Sequence, residues 1–271
     1  MPSNTSINAS QLSRLVGTPD APLLIDVRKD RDYSADQRLL PASRKRDAEA
    51  VNTWAAELRG RRAIVVCQHG GSRSEGAAAW LRASGIQAET LDGGYEAWRD
   101  AEGMLLSPDH LPPRNAQGQT VWVTRARPKV DRIACPWLIR RFVDADAVFL
   151  FVKQTEVREV AERYGAAAFD IEETFWSHRG DLCTFDVMVQ EFGLKSQALD
   201  ELALIVRGAD TARLELAPES PGLLAASLGL SRMYRDDLQQ LEAGMLLYDA
   251  FYRWRRDAAG ENHNWPGPTK S

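Results

Sequence analysis

A cysteine followed by a glycine-rich turn is the feature that most constrains how this chain folds. An apolar run, Ala63-Ile64-Val65-Val66, precedes it, an alanine-rich segment over 75–81 follows it, and the turn itself reads Cys67-Gln68-His69-Gly70-Gly71-Ser72-Arg73-Ser74. A short strand, a tight turn and a helix in this order predict a loop whose backbone N–H groups converge on one point. The pattern therefore predicts an anion site with a thiol in it.

The thiol of Cys67 is a candidate nucleophile. A helix N-terminus and the charge of Arg73 both favour a thiolate, so we expect the Cys67 pKa to lie below the free-cysteine value of about 8.5. The rest of the turn then supplies candidate oxyanion-binding or substrate-binding residues: Gln68, His69, Gly70, Gly71, Ser72, Arg73 and Ser74. The alternative is that Cys67 is only a small residue of the core.

Two further stretches flank this turn at matching distances. Leu23-Leu24-Ile25-Asp26-Val27-Arg28 precedes it, and Leu91-Asp92-Gly93-Gly94-Tyr95-Glu96-Ala97-Trp98 follows it. Together the three stretches closely resemble the rhodanese family, sulfurtransferase-like α/β domains in which a catalytic cysteine carries sulfur as a persulfide. The resemblance covers about residues 8–104. It implies a parallel sheet with flanking helices, Cys67 as the catalytic residue, small sulfur compounds as partners, and no cofactor beyond a persulfide on Cys67.

The length of the loop leaves two substrate classes open. Cys67 to Arg73 spans seven residues, one more than is usual in sulfur-transferring rhodaneses. The longer loop resembles that of phosphatases and arsenate reductases in the same superfamily, which hold a larger tetrahedral oxyanion. Both small sulfur compounds and tetrahedral oxyanions are therefore expected ligands.

Length, charge and cysteine usage bound the class of protein. A chain of 271 residues allows two domains, and its net charge of -4 argues against a general nucleic-acid binder. Cys67, Cys135 and Cys183 lie far apart, which indicates reduced thiols in the cytoplasm and no disulfide framework. No leader-like N-terminus and no apolar run of about 18 residues are present, so no membrane partner is expected. The oligomeric state stays open.

The order of strand-like and helix-like segments predicts two domains. Alternating strands and helices over 8–104 predict a parallel sheet, with a solvated loop over 29–47 and a helix over 47–58. Residues 105–119 contain several prolines and read as a linker. Residues 120–256 predict a mostly helical α+β domain, with strands at 120–124, 148–152 and 168–170 and a last helix over 237–255. The tail, 257–271, is expected to be mobile.

The second half carries its own resemblance. A basic stretch over 125–142 is followed by three short motifs: His178-Arg179-Gly180-Asp181, Arg207-Gly208-Ala209-Asp210 and Leu241-Glu242-Ala243-Gly244-Met245. Together they closely resemble the C-terminal domain of ChrB-type chromate resistance proteins, from about 122 to 255. The resemblance implies chromate resistance or chromate sensing.

Two sets of side chains in this half could form a site. The first set, which could donate hydrogen bonds to a chromate-like dianion, is Arg127, Lys129, Arg132 and Arg140. The alternative is that these four residues form a solvated helix face. Candidate metal ligands are Asp170, His178, Asp186 and Asp210, although structural ion pairs are the alternative. Cys135 is expected near the start of a helix that runs to about residue 142, and packing is favoured over redox chemistry for its thiol.

Two functions follow from these features. The first is a chromate-resistance enzyme of the sulfurtransferase type, in which Cys67 accepts sulfur or attacks a bound oxyanion. The alternative is a non-enzymatic protein that senses chromate or regulates the response to it. The N-terminal half is not a helix-turn-helix, so nucleic acid is not an expected partner. We expect the second domain to contact the Cys67 loop.

Overall fold

The computed structural model describes residues 5–261. Most of the predicted mobile tail, 262–271, therefore lies outside the described residues. The N-terminal part is built on a five-stranded parallel sheet in the order β1-β5-β4-β2-β3. Its strands are β1 (Ser6–Ile7), β2 (Leu23–Asp26), β3 (Arg44–Lys45), β4 (Ala63–Val66) and β5 (Ala88–Leu91). Its helices are α1 (Ala9–Ser13), α2 (Asp30–Ala35), α3 (Val51–Trp54), α4 (Ser72–Ala83) and α5 (Gly94–Asp100).

Both faces of this sheet are covered, which confirms the predicted α/β class. Every residue of β2 and β4 is buried, as expected for central strands of a parallel sheet. Successive side chains point to opposite faces, so Ile64 and Val66 join one hydrophobic cluster while Ala63 and Val65 join another. Cys67 continues the second series and lies in the cluster that includes Leu81 of α4.

The segment between β2 and β4 is more ordered than the predicted loop over 29–47. It contains α2 and the edge strand β3. The cause is the buried side chain of Arg28, which forms an ion pair with Asp26 at 2.7 Å and donates to the carbonyls of Asp36 and Arg38 at 2.8 Å. These contacts make the Asp26–Arg28 pair structural. The helix predicted over 47–58 is divided into α3 and two flanking 3-10 turns.

The second half is mostly helical around a small parallel sheet, as predicted. The sheet has the order β7-β6-β8, with β6 (Val121–Arg125), β7 (Val148–Val152) and β8 (Ala167–Ala168). The helices are α6 (Asp131–Leu138), α7 (Val157–Tyr164), α8 (Thr184–Glu191), α9 (Gln197–Asp210), α10 (Ser220–Met233) and α11 (Asp237–Asp257). Within residues 5–261, no helix combines the length and the apolar character that crossing a bilayer requires.

Helix α6 begins earlier than predicted. It starts at Asp131, contains Pro136, and continues into a π-helical turn over Ile139–Val143, so Cys135 lies inside the helix. The chain turns sharply at Val130, whose φ is 35°. Helix α11 holds this turn, because the Tyr248 hydroxyl donates to the Val130 carbonyl at 2.9 Å. A tertiary contact therefore sets the start of the helix.

The two halves pack against each other through charged and apolar contacts. Arg44 of β3 lies 3.1 Å from Asp144 and 2.6 Å from Asp146, and Arg61 lies 2.9 Å from Asp146. One hydrophobic cluster includes Ile64 of β4 together with Phe142 of the second half. The halves are thus joined by a shared core, by the buried Arg44–Asp144 pair and by two partly exposed ion pairs to Asp146.

Arg44→Ala is expected to lower the free energy of unfolding by about 3 kcal/mol, because it leaves the buried Asp144 carboxylate with one cation fewer. Urea denaturation of the full chain measures this loss. Arg46→Ala is the matched control, since the Arg46–Glu57 pair is partly exposed and is worth less than about 1 kcal/mol.

The same loss should depend on pH. Burial raises the pKa of Asp144, but Arg114, Thr120 and Arg44 lower it more, so the net pKa lies below its usual range. The Arg44 contribution should therefore be present at neutral pH and shrink as Asp144 becomes protonated in acid. Equal losses from the Arg44 and Arg46 variants at pH 7 would contradict this account of the interface.

Candidate functional site

The Cys67 loop lies at the carboxyl end of β4, between that strand and α4. Its backbone rests on the first turn of α5: the Tyr95 N–H donates to the Cys67 carbonyl at 2.9 Å, and the Glu96 N–H donates to the Gln68 carbonyl at 3.1 Å. A Cβ atom on Gly94 would lie 2.3 Å from the Cys67 carbonyl oxygen. Glycine is therefore required at position 94 for the loop to make these bonds.

Donors surround the Cys67 sulfur. Its Sγ lies 3.1 Å from the Ser74 Oγ and accepts from the Gly71 N–H at 3.3 Å. Burial raises the thiol pKa, but hydrogen bonds from the Ser74 hydroxyl and from the N–H groups of Gly71, Ser74 and His69 outweigh it. The Cys67 pKa is therefore lowered, and the thiolate is the form that attacks as a nucleophile.

Glu96 on α5 positions the next two residues of the loop. Its two carboxylate oxygens lie 3.1 Å from the Gln68 Nε2 and 3.0 Å from the His69 Nδ1. His69 is exposed at the rim, whereas the Gln68 Oε1 is buried without a hydrogen-bond partner. Gly70 has a φ of 71°, which favours glycine. Glu96 was not among the sequence candidates, although it belongs to the same motif as Gly94.

The structure places Arg73 differently from its predicted role. Its guanidinium lies 3.0 Å from Asp47 and 3.0 Å from Glu49, and its Nε donates to the Val27 carbonyl at 2.7 Å. The contacts of the Cys67 sulfur come from Ser74 and Gly71. Arg73 therefore anchors the start of α4 to neighbouring segments, and its charge is paired with two exposed carboxylates there.

No hydrogen bond or ion pair joins the second domain to the Cys67 loop in the described part of the chain, where a contact between them was predicted. The loop side chains form their hydrogen bonds and ion pairs with residues of the N-terminal half. The interface residue Arg61 precedes β4, whereas Cys67 follows it. The domain contact around Arg61 therefore lies at the opposite end of this strand from the loop.

A second group of polar side chains lies in the C-terminal half. The Nε2 of His178 is 3.5 Å from an Asp131 oxygen, 3.5 Å from an Asp170 oxygen and 3.2 Å from an Asp210 oxygen. These four residues are named the His178 cluster. Asp131 and Asp170 are buried, Asp210 is partly buried, and His178 is exposed.

Charge and burial strongly shift the pKa values in the His178 cluster. Burial, with Asp210 as the next cause, raises the pKa of Asp131 to about 7. Contacts with Asp131, Asp170 and Asp210 raise the pKa of His178 to about 12. Burial acts to raise the Asp170 pKa, but His178 and two arginines lower it by more, so the net pKa lies below its usual value. The carboxylates therefore favour the protonated form of His178, while burial disfavours the ionised form of Asp131.

The sequence candidates for metal binding fall into two groups. Asp170, His178 and Asp210 come together, whereas Asp186 accepts from the Cys183 N–H at 3.0 Å at the start of α8 and lies 3.5 Å from Arg207. Asp131 was missed. It occupies the first position of α6. A prediction that started this helix at residue 131 would have brought Asp131 to attention.

The predicted anion-binding residues each have different surroundings. Arg127 donates to the Tyr234 and Ser231 carbonyls, Arg132 contacts Asp170, and Arg140 pairs with Glu242. Lys129 is exposed. The three guanidinium groups are thus directed to three different partners and do not form one common anion site.

Cys135 and Cys183 are buried, and burial raises both thiol pKa values well above the usual range.

Comparisons with known proteins agree with this division of the chain. The profile of the rhodanese-like domain matches residues 8–101, and that of the ChrB C-terminal domain matches residues 122–255. A segment similar to rhodanese-like domains is thus followed by a segment similar to the ChrB C-terminal domain. The chain is also 35% identical over 170 residues to Protein ChrB of Cupriavidus metallidurans, which covers 57% of this chain and 50% of that protein. The chain thus spans about half the length of that relative.

Solved structures similar to the chain include two proteins with rhodanese names. A rhodanese-related protein from Thermoplasma volcanium is 24% identical, with a TM-score of 0.33, and the match covers 37% of this chain and 96% of that one. A rhodanese-like domain protein from Staphylococcus aureus is 23% identical, with a TM-score of 0.32, and the match covers 35% of this chain and 90% of that one.

The Cys67 thiol of the rhodanese-like domain is expected to react with iodoacetamide at pH 7 before Cys135 and Cys183. Ser74→Ala should raise the Cys67 pKa and slow the reaction several-fold, because it removes a hydrogen bond to the thiolate. Alkylation rates measured from pH 5 to 10, with each cysteine followed by peptide mass spectrometry, give the pH midpoint. A midpoint that is the same in wild type and Ser74→Ala would contradict the role of the hydroxyl. Ser72→Ala, at an exposed position, is the control.

Proposed function

We propose that the chain is a cytoplasmic chromate-tolerance protein that transfers sulfur through a persulfide on Cys67. The observation that carries the proposal is the thiol itself, held 3.1 Å from the Ser74 hydroxyl and 3.3 Å from the Gly71 N–H. These donors stabilise negative charge on sulfur, and a persulfide keeps that charge one atom further out. The similarity to Protein ChrB and the ChrB C-terminal domain support the link to chromate.

The reaction proceeds in two displacements. The Cys67 thiolate attacks the sulfane sulfur of a donor such as thiosulfate, a new S–S bond forms, and the donor's S–S bond breaks so that sulfite leaves with the electron pair. An acceptor thiolate or cyanide then attacks the outer sulfur, and Cys67 leaves as a thiolate. The Ser74 hydroxyl and the loop N–H groups stabilise the charge on sulfur at each stage.

The surroundings of Arg73 favour sulfur transfer over attack on a tetrahedral oxyanion. A dianion that stays in the loop throughout the reaction is stabilised by a cationic partner, and Arg73 is already paired with Asp47 and Glu49. Thiosulfate is also a dianion, but it leaves the loop as sulfite after the first displacement. A persulfide carries a single negative charge, and the Ser74 hydroxyl and the Gly71 N–H are already placed to stabilise it. The seven-residue spacing from Cys67 to Arg73 is the observation that favours the second candidate, thiol attack on a bound oxyanion.

Cys67→Ser should lower thiosulfate:cyanide sulfurtransferase turnover by at least about a thousandfold, because the nucleophile is lost. Cys183→Ser is the matched control: Cys183 is the N-cap of α8, and serine is a preferred N-cap residue. Thiocyanate release measures turnover. Turnover that survives in Cys67→Ser would refute the proposal.

The same samples separate the competing functions. Consumption of arsenate or chromate by wild type alone, with thiosulfate inert, would assign the loop to oxyanions. Inertness in all assays would favour a chromate-sensing protein. In a chromate-sensitive host, wild type should raise the tolerated chromate concentration and Cys67→Ser should not. If both raised it equally, chromate tolerance would not depend on the chemistry of Cys67.

A further inference from the structure

The geometry of the His178 cluster in the ChrB C-terminal domain differs from that of an ordinary ion pair. A histidine–carboxylate bond between charged partners has a length of about 2.7–2.9 Å, whereas His178 Nε2 stands 3.2 to 3.5 Å from oxygens of three aspartates. Nε2 carries at most one proton, so it can serve one carboxylate and not three. The arrangement therefore leaves negative charge that His178 alone does not neutralise through direct hydrogen bonds.

These separations match ligands around a single ion. Nitrogen and oxygen ligands lie about 2.0–2.2 Å from a tetrahedral Zn²⁺, which places them about 3.3–3.6 Å from one another. The donor atoms offered by Asp131, Asp170 and His178 all lie within 4.8 Å of one another. Asp210 lies 3.2 Å from His178 and is a neighbour of this group of three.

One oxygen of Asp131 provides an independent observation. The side chain is fully buried, and its Oδ1 has no hydrogen-bond partner. The other oxygen, Oδ2, accepts from the Thr184 N–H at 2.7 Å and is the atom that faces His178. A buried carboxylate oxygen without a partner is costly to keep in a folded protein, and a cation bound by both oxygens of Asp131 would compensate that cost.

Other contacts orient the carboxylates. The Thr184 hydroxyl donates to the Asp170 Oδ1 at 3.2 Å, while Arg125 and Arg132 contact the Asp170 Oδ2 at 3.4 and 3.2 Å. The Asp170 oxygen that faces His178 is thus Oδ1, and the arginines occupy the other one. Outer contacts of this kind fix ligands around metals.

We propose that Asp131, Asp170 and His178 bind one divalent first-row transition-metal ion, with the Asp210 carboxylate beside His178. One imidazole nitrogen with carboxylate oxygens suits Mn²⁺, Fe²⁺ or Zn²⁺ better than Ca²⁺ or Mg²⁺. His178 and Asp210 lie on the more exposed side, at 39% and 19% side-chain exposure, so the ion enters from there. The site is separate from Cys67 and does not depend on sulfur transfer.

The test uses the full chain after dialysis against a chelator. Mn²⁺ is titrated by calorimetry, and Zn²⁺ is titrated into Cys67→Ser so that this thiol does not contribute. A chain with the cluster intact should bind about one ion and gain about 5–10 °C in Tm at saturating metal. His178→Gln and Asp131→Asn should lose at least about a hundredfold in affinity and the shift in Tm.

His110→Gln is the matched control. His110 also contacts a carboxylate, lying 3.1 Å from Glu191 at 44% exposure, and its loss should leave metal binding unchanged. Circular dichroism checks that each variant is folded, and Asp170→Asn replaces any that is not. No binding with a Kd below about 0.1 mM, or equal binding by His178→Gln and wild type, would overturn the proposal and leave the cluster a structural ion group.

Discussion

Two backbone hydrogen bonds from the start of α5 to the Cys67 loop are the contacts on which the candidate active site depends. The carbonyls of Cys67 and Gln68 are turned toward α5, and the Gly71 N–H donates to the sulfur. Gly94 permits this approach, since any side chain there would meet the Cys67 carbonyl. The Cys67 pKa is lowered by hydrogen bonds from Ser74, Gly71 and His69 within the loop, and the bonds to α5 hold the backbone of that loop.

The two domains share a core but keep their chemistry apart. Arg44 and Arg61 join them through Asp144 and Asp146, whereas Cys67 lies at the other end of β4 from Arg61. The N-terminal site uses backbone and hydroxyl donors around a sulfur; the C-terminal one concentrates carboxylates around an imidazole. The first suits an anionic sulfur species, and the second suits a cation. Coupling between them would have to pass through the shared core.

The parts that the sequence predicts well are those encoded by local pattern. Buried strands such as β4 appear as apolar runs, and the turn after Cys67 is glycine-rich, so local pattern suffices to locate both. Tertiary contacts decide the rest. The order around α2 depends on the buried Arg28 side chain, and the start of α6 depends on Tyr248. Arg73 finds its partners more than twenty residues away, and the His178 cluster gathers residues from four separate segments that have no ligand spacing in common.

Intact-mass spectrometry after brief incubation with thiosulfate tests most directly whether the docked loop forms a persulfide. Wild type should gain the mass of one sulfur atom, and Gly94→Ala should lose most of this gain because its Cβ displaces the Cys67 carbonyl. Gly76→Ala is the matched control, since a Cβ atom on Gly76 in α4 would lie in open space. A wild type that gains no sulfur, or a Gly94→Ala variant that gains it at the same rate, would contradict the central claim.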